Sequence, residues 1–421
     1  MSVAVSVDPA MSPAAPDEEK SHNRGFWIVM AIVVFLLVSG VRVLTGAHDV
    51  DSSGALRAAI TGAIPIALAG LGGLWSERAG VVNIGLEGML IMGTLGGAYC
   101  TYHYGVLAGV LGAMAFGVLA AVLHALATVV FGVDHIVSGV AINIIAAGLA
   151  AFLADVLFSD LPGGGPTQSP SLDRAPALSI DAIATPLREL EAKHWFVVSD
   201  LASIGGALTR NLSLLTVLAV ALFVVSWWVL WRTAFGLRLR STGESPTAAE
   251  SLGVSVYTYK FIAVLISGAL AGFGGAFLVL VSAPGYANGQ TQGIGYIGLA
   301  AMIFGNWRPG MLMVGAAIFG YTQSIRLRGG TDSLHALLLV VAIVLLAIAI
   351  WQVFGGRRRA AIISAIGGAA FLLWFLSTDE VAPQFTGMAP YLTTLLVLAS
   401  ASQSLRMPAA DGQIYRKGSA G

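Results

Sequence analysis

"GLRLRSTGESPTAAESLGVSVYTYK", residues 236–260, lies between two long apolar runs at 213–232 and 259–283. Each flanking run is close to the ~20 apolar residues that a helix needs to cross a bilayer. The stretch between them is polar, with Arg238 and Arg240 at its start and Lys260 at its end. Ser245 can serve as an N-cap, Pro246 fits the first helical position, "TAAESL" supplies helix formers, and Gly253 is a natural stop. The expectation is a helix of about two turns, too short to be stable alone in water, which must therefore pack on something.

The same alternation runs along the chain. With 57% apolar and only 10% charged residues and a mean hydropathy of +0.83, the composition does not suit a water-soluble surface. Apolar runs fall at 26–46, 55–75, 81–101, 106–131, 136–158, 213–232, 259–283, 294–306, 311–325, 333–354, 360–377 and 389–406. They predict an all-α polytopic membrane bundle of about 10–12 transmembrane helices. Two of the runs are short and flank "GNWRPG" (305–310), where Gly and Pro interrupt what would otherwise be one run. Counting from a cytoplasmic N-terminus places Arg78, Arg232, Arg238, Arg240, Lys260, Arg308, Arg357 to Arg359, Arg416 and Lys417 inside, as the positive-inside rule requires; Arg326 and Arg328 fall outside, against it. The expected organisation is a disordered cytoplasmic tail at 1–25 and a transmembrane domain at 26–406. That domain carries an external loop at 159–212 and a cytoplasmic segment at 233–258, and a cytoplasmic tail follows at 407–421.

Several classes drop out. The net charge is zero and the basic residues sit at run ends, so they report orientation, and no nucleic-acid partner is expected. Cys100 is the one cysteine, and no Cys/His grouping suggests a metal or redox site; no metal or cofactor is expected. The chain has four lysines, Lys20, Lys193, Lys260 and Lys417, none in a G-x-x-x-x-G-K-[ST] phosphate loop, so ATP hydrolysis would belong to another chain. No nucleophile–base pair suggests an enzyme. A proton-coupled secondary transporter would need an ionisable relay in the bundle, and Glu87 offers little of one. Small-residue stripes at Gly105, Gly109, Ala113 and Gly117, and at Gly268, Gly272 and Ala276, predict close helix contact.

"TGESPTAAESLGVSV" resembles the cytoplasmic coupling segment of permease subunits in bacterial ABC importers of the branched-chain amino acid, ribose and nucleoside superfamily. "ERAGVVNIGLEGMLIMGTLGGAY" (77–99), "GYIGLAAMIFGNWRPGMLMVGAAIFG" (295–320), "MAPYLTTLLVLA" (388–399) and "MPAADGQIYRKG" (407–418) are similar, in order, to the nucleoside branch that works with basic-membrane-protein lipoproteins. The resemblance covers about 55–418 and departs from the family in the polar N-terminal tail, in Glu244 and Ser245, and in an added apolar hairpin at 333–377. It implies a type II-like importer permease in the bacterial plasma membrane that moves a nucleoside, with a sugar or branched-chain amino acid as the alternative. It also implies three partners: a cytoplasmic ATPase with two nucleotide-binding domains, a second related permease, and a lipid-anchored solute-binding protein. By the same resemblance Gly243, Glu244, Ser245, Pro246, Ala248, Ala249 and Gly253 would contact the ATPase, the two alanines permitting close approach. Arg238 and Arg240 would pair with its acidic groups or with anionic lipid.

Within the membrane Asn83, Glu87 and Asn143 are the polar residues of interest. Asn83 and Glu87 are spaced to share a helix face and are expected to line or brace the solute path. The alternative for Glu87 is a structural ion pair with a basic residue of another helix or subunit. His124, in "AAVLHALAT", is expected to be a hydrogen-bonded packing residue.

Overall fold

The computed structural model describes residues 24–327, 331–382, 388 and 405–418. Its helices are α1 (Arg24–Thr45), α2 (Ser53–Arg78), α3 (Leu86–Tyr104), α4 (Val106–Ala125), α5 (His135–Phe158), α6 (Asp181–Glu191), α7 (Val198–Thr209), α8 (Leu214–Arg232), α9 (Ala234–Glu244) and α10 (Pro246–Ser251). They continue with α11 (Val256–Phe277), α12 (Ile294–Phe304), α13 (Pro309–Leu327), α14 (Thr331–Phe354) and α15 (Arg358–Ser377). A single π-helical turn extends each of α4 and α11, and Ala177–Leu178 pairs antiparallel with Leu212–Ser213. Among the described residues seven helices are long and apolar enough to cross a membrane: α2, α4, α5, α8, α11, α14 and α15. The chain is an all-α, multi-pass membrane protein. The expected run at 389–406 lies, but for its last two residues, outside the described residues, as does the tail before residue 24.

The two runs expected to be short differ from each other. α12 has 11 residues, about 16 Å of helix against a hydrocarbon core of ~30 Å, and so reaches only partway. α13 has 19 residues and is not short. Its internal glycines do not break it because the helix is held by contact: a Cβ on Gly320 would lie 2.4 Å from the Ala59 carbonyl oxygen of α2.

α2 and α11 form the centre, with 72% and 78% of their apolar windows buried, while α15 at 11% lies on the rim. Small residues make that centre possible. A Cβ on Gly93 would sit 2.6 Å from Gly272 Cα, and one on Gly117 would sit 2.3 Å from the Gly268 carbonyl oxygen, so α3, α4 and α11 touch backbone to backbone. Gly105 departs from the expected stripe. It has open space around it and φ +87°, and it turns the chain from α3 into α4.

The added hairpin α14–α15 closes on itself, with His335 stacked on Phe375 at 4.5 Å, and meets the bundle where Ala336 and Val340 join Val41 of α1. The 159–212 loop carries α6 and α7 and caps one end of the bundle. Arg42 of α1, 2% exposed, pairs with Asp200 of α7 at 2.7 Å, Asp200 also accepts from Ser39, and Glu191 accepts the Ser53 N–H that starts α2. Burial would raise the Asp200 carboxyl, but hydrogen bonds from Asp51 and Ser39, followed by the Arg42 guanidinium, outweigh it and hold the group below its usual range. Tyr321, near the end of α13, donates to the Val50 carbonyl at this same end. The opposite end gathers Arg78, Lys260, Arg308 and the 405–418 segment.

Candidate functional site

Two helices begin inside the bundle, and both have their N-termini capped by side chains from elsewhere. α12 starts after Gly293, whose φ of +81° makes the entry turn. Its first donors converge on Glu87 of α3: Gly293 N–H to Oε1 at 3.0 Å and Gly295 N–H to Oε2 at 2.6 Å, with the Thr291 hydroxyl donating to Oε1 at 2.6 Å. An acceptor-only carboxylate satisfies three donors and offsets the positive end of the helix. No base is paired with Glu87 among the described residues; its neighbours are backbone and hydroxyl donors. α3 in turn starts after Gly85, and its Gly88 N–H donates to Asn143 Oδ1 at 2.7 Å. The Asn143 amide donates to the Ile84 carbonyl and to the Tyr296 hydroxyl, both at 2.9 Å, and so ties α5 to α3 and α12.

Asn83 does not share a helix face with Glu87, because α3 begins only at Leu86. It sits in the irregular segment 79–85, fully buried, and donates to Ser267 of α11 at 2.8 Å. Irregular backbone at membrane depth survives only where its polar groups are satisfied by protein. Here Ser76 donates to the Val81 carbonyl, Lys260 to the Gly80 carbonyl and the Val82 N–H to His135, and His124 bridges Ser138 and the Val82 carbonyl. His124 is thus a hydrogen-bonded packing residue.

At the Arg78 end the polar stretch forms an elbow of two helices, α9 then α10. Ser245 stands between them in extended backbone, but its side chain makes no cap; its N–H closes α9 on the Ser241 carbonyl instead. Pro246 starts α10, and Gly253, at φ +81°, ends it. Gly243 seats the elbow on the end of α2. A Cβ there would lie 2.4 Å from the Arg78 carbonyl oxygen and 3.0 Å from the Gly80 nitrogen. The alanines divide: Ala249 is 2% exposed, buried against its own chain, whereas Ala248 and the neighbouring Leu252, 84% exposed, face outward. Close approach by a partner is therefore available at Ala248 and closed at Ala249. Arg240 also turns inward, donating to the Leu230 carbonyl at 2.9 Å and lying over Trp231, while Arg238 stays exposed.

Residues 405–418 strap this elbow to the core. Ala410 N–H donates to the Gly243 carbonyl at 2.8 Å, Ala409 N–H to Glu244 at 3.2 Å, and Arg406 N–H to Asn306 at 2.7 Å. Asp411 is buried beside Glu77, whose carboxylate also accepts from Trp307 at 2.7 Å. Burial pushes the Asp411 carboxyl up to about 7, with Glu77, Lys260 and Arg78 as its polar neighbours.

α2 separates two cavities. One, of about 550 Å3, is walled by apolar residues such as Leu56, Ile60, Leu208 and Val217. The other, of about 580 Å3, is lined by Arg57, Thr61, Ser282, Gln290, Gln292 and Gln323. Asn83, Glu87 and Asn143 line neither.

Residues 56–350 match the family described as branched-chain amino acid transport system / permease component. The chain belongs to this permease family. It is 33% identical to the guanosine ABC transporter permease protein NupQ of Bacillus subtilis over 63% of this chain and 80% of NupQ. It is 31% identical to the nucleoside ABC transporter permease protein NupC of Lactococcus lactis over 84% of this chain and 93% of NupC. TsgC13 of Haloferax volcanii, provisionally named a glucose ABC transporter permease protein, is 30% identical over 87% of this chain and 98% of its own length. No solved structure matches the chain.

In this permease the glutamine-lined cavity escaped sequence reasoning because its residues come from distant segments. Gln290 and Gln292 lie in an irregular loop and Gln323 near the end of α13. The one available signal was the Q-T-Q triplet at 290–292, placed between two apolar runs.

Proposed function

We propose that this permease is the membrane-spanning subunit of an ATP-driven nucleoside importer in a bacterial plasma membrane, with its Arg78 end in the cytoplasm. The elbow carries this reading. α9 is held to α2 by glycine-close contact and strapped by 405–418, and α10 packs on α9 and α11, so an outside force on Ala248 and Leu252 reaches α2 through α9. α2, 26 residues long, runs from the elbow to the polar cavity at its other half. The force would come from a cytoplasmic ATPase carrying two nucleotide-binding domains. A second related permease would complete the path, and a lipid-anchored binding protein would deliver solute at the end capped by α6 and α7. The nucleoside is favoured by the similarity to NupQ and NupC and by a cavity that sets Thr61, Ser282 and three glutamines among apolar walls, beside Arg57. The similarity to TsgC13 makes a sugar the second reading.

The test is uptake of labelled purine and pyrimidine nucleosides, ribose, glucose and leucine in a clean deletion strain and its complemented parent. Loss of ATP-dependent nucleoside uptake is expected. Unchanged nucleoside uptake with a fall in a sugar or in leucine would keep the family and overturn the substrate.

A further inference from the structure

The polar cavity reaches deep into the bundle. Its wall on α2 extends from Gly54 to Pro65, about 17 Å along the helix, and Ile294, the first residue of the half-length helix α12, also lines it. A polar recess at this depth is costly against lipid, so its open side belongs to water or a partner protein. Its volume of about 580 Å3 lies within the roughly 300–1,000 Å3 usual for small-molecule sites. Gln290 and Ala283 also line a second recess, of about 450 Å3, with Gln168, Ser169, Ser171 and Tyr286 at the loop-capped end. The two recesses thus adjoin, with Ala283 and Gln290 as their shared wall.

Among the residues lining the two recesses, Gln290 Nε2 and the Tyr286 hydroxyl are buried polar atoms without protein partners. Buried polar groups are nearly always paired. Gln290 is held by its other end, Oε1 accepting the Ala287 N–H at 3.2 Å, while its amide donor is enclosed without a protein partner. Pro65 has no N–H to give the Thr61 carbonyl, four residues earlier in α2, so that acceptor is released from the helix at the cavity wall. A helix N-terminus such as that of α12 would ordinarily draw an anion, but Glu87 already occupies its donors.

We propose that this cavity is the seat through which the permease passes a neutral solute bearing hydroxyls and a heterocyclic edge, with Gln290, Gln292 and Gln323 as its specificity-determining contacts. The inference rests on the nucleoside reading given above. Side-chain amides offer donor and acceptor together, which matches a base edge or a ribose diol. Each such contact is weak, as a relay site must be if the solute is to leave. Glu87 acts as a positioning residue, holding the loop that carries Gln290 and Gln292 without touching the solute.

The experiment uses the complete importer in proteoliposomes, with radiolabelled guanosine, uridine and glucose. Gln290→Leu and Gln323→Leu should each lower nucleoside uptake about 3- to 10-fold, the range of one uncharged hydrogen bond, and the double variant by more. Val217→Ala, on the apolar cavity, should leave uptake unchanged. Thermal unfolding is measured in parallel. Should the double variant be unstable, Thr61→Cys in a Cys100→Ala background decides: excess nucleoside should slow its modification by a small thiol reagent. Parent-level uptake by the double variant, or modification of Thr61→Cys that nucleoside does not slow, overturns the cavity assignment while leaving the nucleoside reading intact. A parent importer that moves glucose and no nucleoside overturns the nucleoside reading and the cavity's assigned solute with it.

Discussion

Replacing Glu87 with Gln tests the clasp that holds the two broken regions together. The carboxylate receives the Gly293 and Gly295 N–H groups and the Thr291 hydroxyl. Gln keeps the size and one acceptor oxygen, which can still serve Thr291 and Gly293, but its amide nitrogen then faces the Gly295 N–H, donor against donor. One buried N–H left unsatisfied costs about 1–3 kcal/mol, and losing a carboxylate at a helix N-terminus adds about 0.3–2 kcal/mol. The sum is about 1–5 kcal/mol on the placement of the 290–295 loop. Gly295 cannot shift to compensate, since even a Cβ there would lie 2.5 Å from the Glu87 nitrogen. In ATP-driven uptake by the reconstituted complex, the maximal rate should fall more than about tenfold, the equivalent of 1.4 kcal/mol. The half-saturating concentration should move little, because capture belongs to the binding protein. Thr291→Val, which removes one donor and leaves the helix end capped, should have a smaller effect. Parent-level rate and thermal stability in Glu87→Gln would refute the clasp.

Ala248→Arg should leave the protein folded but uncouple ATP hydrolysis from uptake, whereas Ala249→Arg, at a site 2% exposed, should unseat α10 and lower the yield of folded protein; equal behaviour of the two would contradict the division of faces. In a Cys100-free background, Arg308→Cys should be shielded from an impermeant thiol reagent in intact cells and Ser171→Cys labelled, and labelling of both from outside would break the proposed orientation. Burial raises Asp411 to about 7 in the folded chain against ~3.9 when unfolded, so the docked strap binds the proton more tightly than the released one. Its docking is therefore strongest at acidic pH, weakens as pH rises from about 4 to about 7, and levels off above. Limited proteolysis of the C-terminal segment should become faster over that range, and Asp411→Asn should weaken the dependence.

The sequence by itself determined the elements and their class. Apolar runs of bilayer length impose helices, because lipid leaves backbone groups no other partner, and Pro246 and Gly253 set the limits of α10 by φ restrictions that act locally. Packing glycines such as Gly268 and Gly272 were legible from their spacing. Tertiary structure decided what lies between the helices and which side of each faces inward. Asn83 and Glu87 looked like one helical face because periodicity assumes continuous helix, yet the chain is irregular through 79–85 and its hydrogen bonds are met by Ser76, His124, His135 and Lys260 from three other helices and α2 itself. Ala248 and Ala249 are adjacent and chemically identical; only the seat of Gly243 on α2 turns one outward and buries the other. The glutamine cavity likewise exists only once α2, the 290–294 loop and α13 converge, since a void is a property of how surfaces fail to fill space and no single segment encodes it.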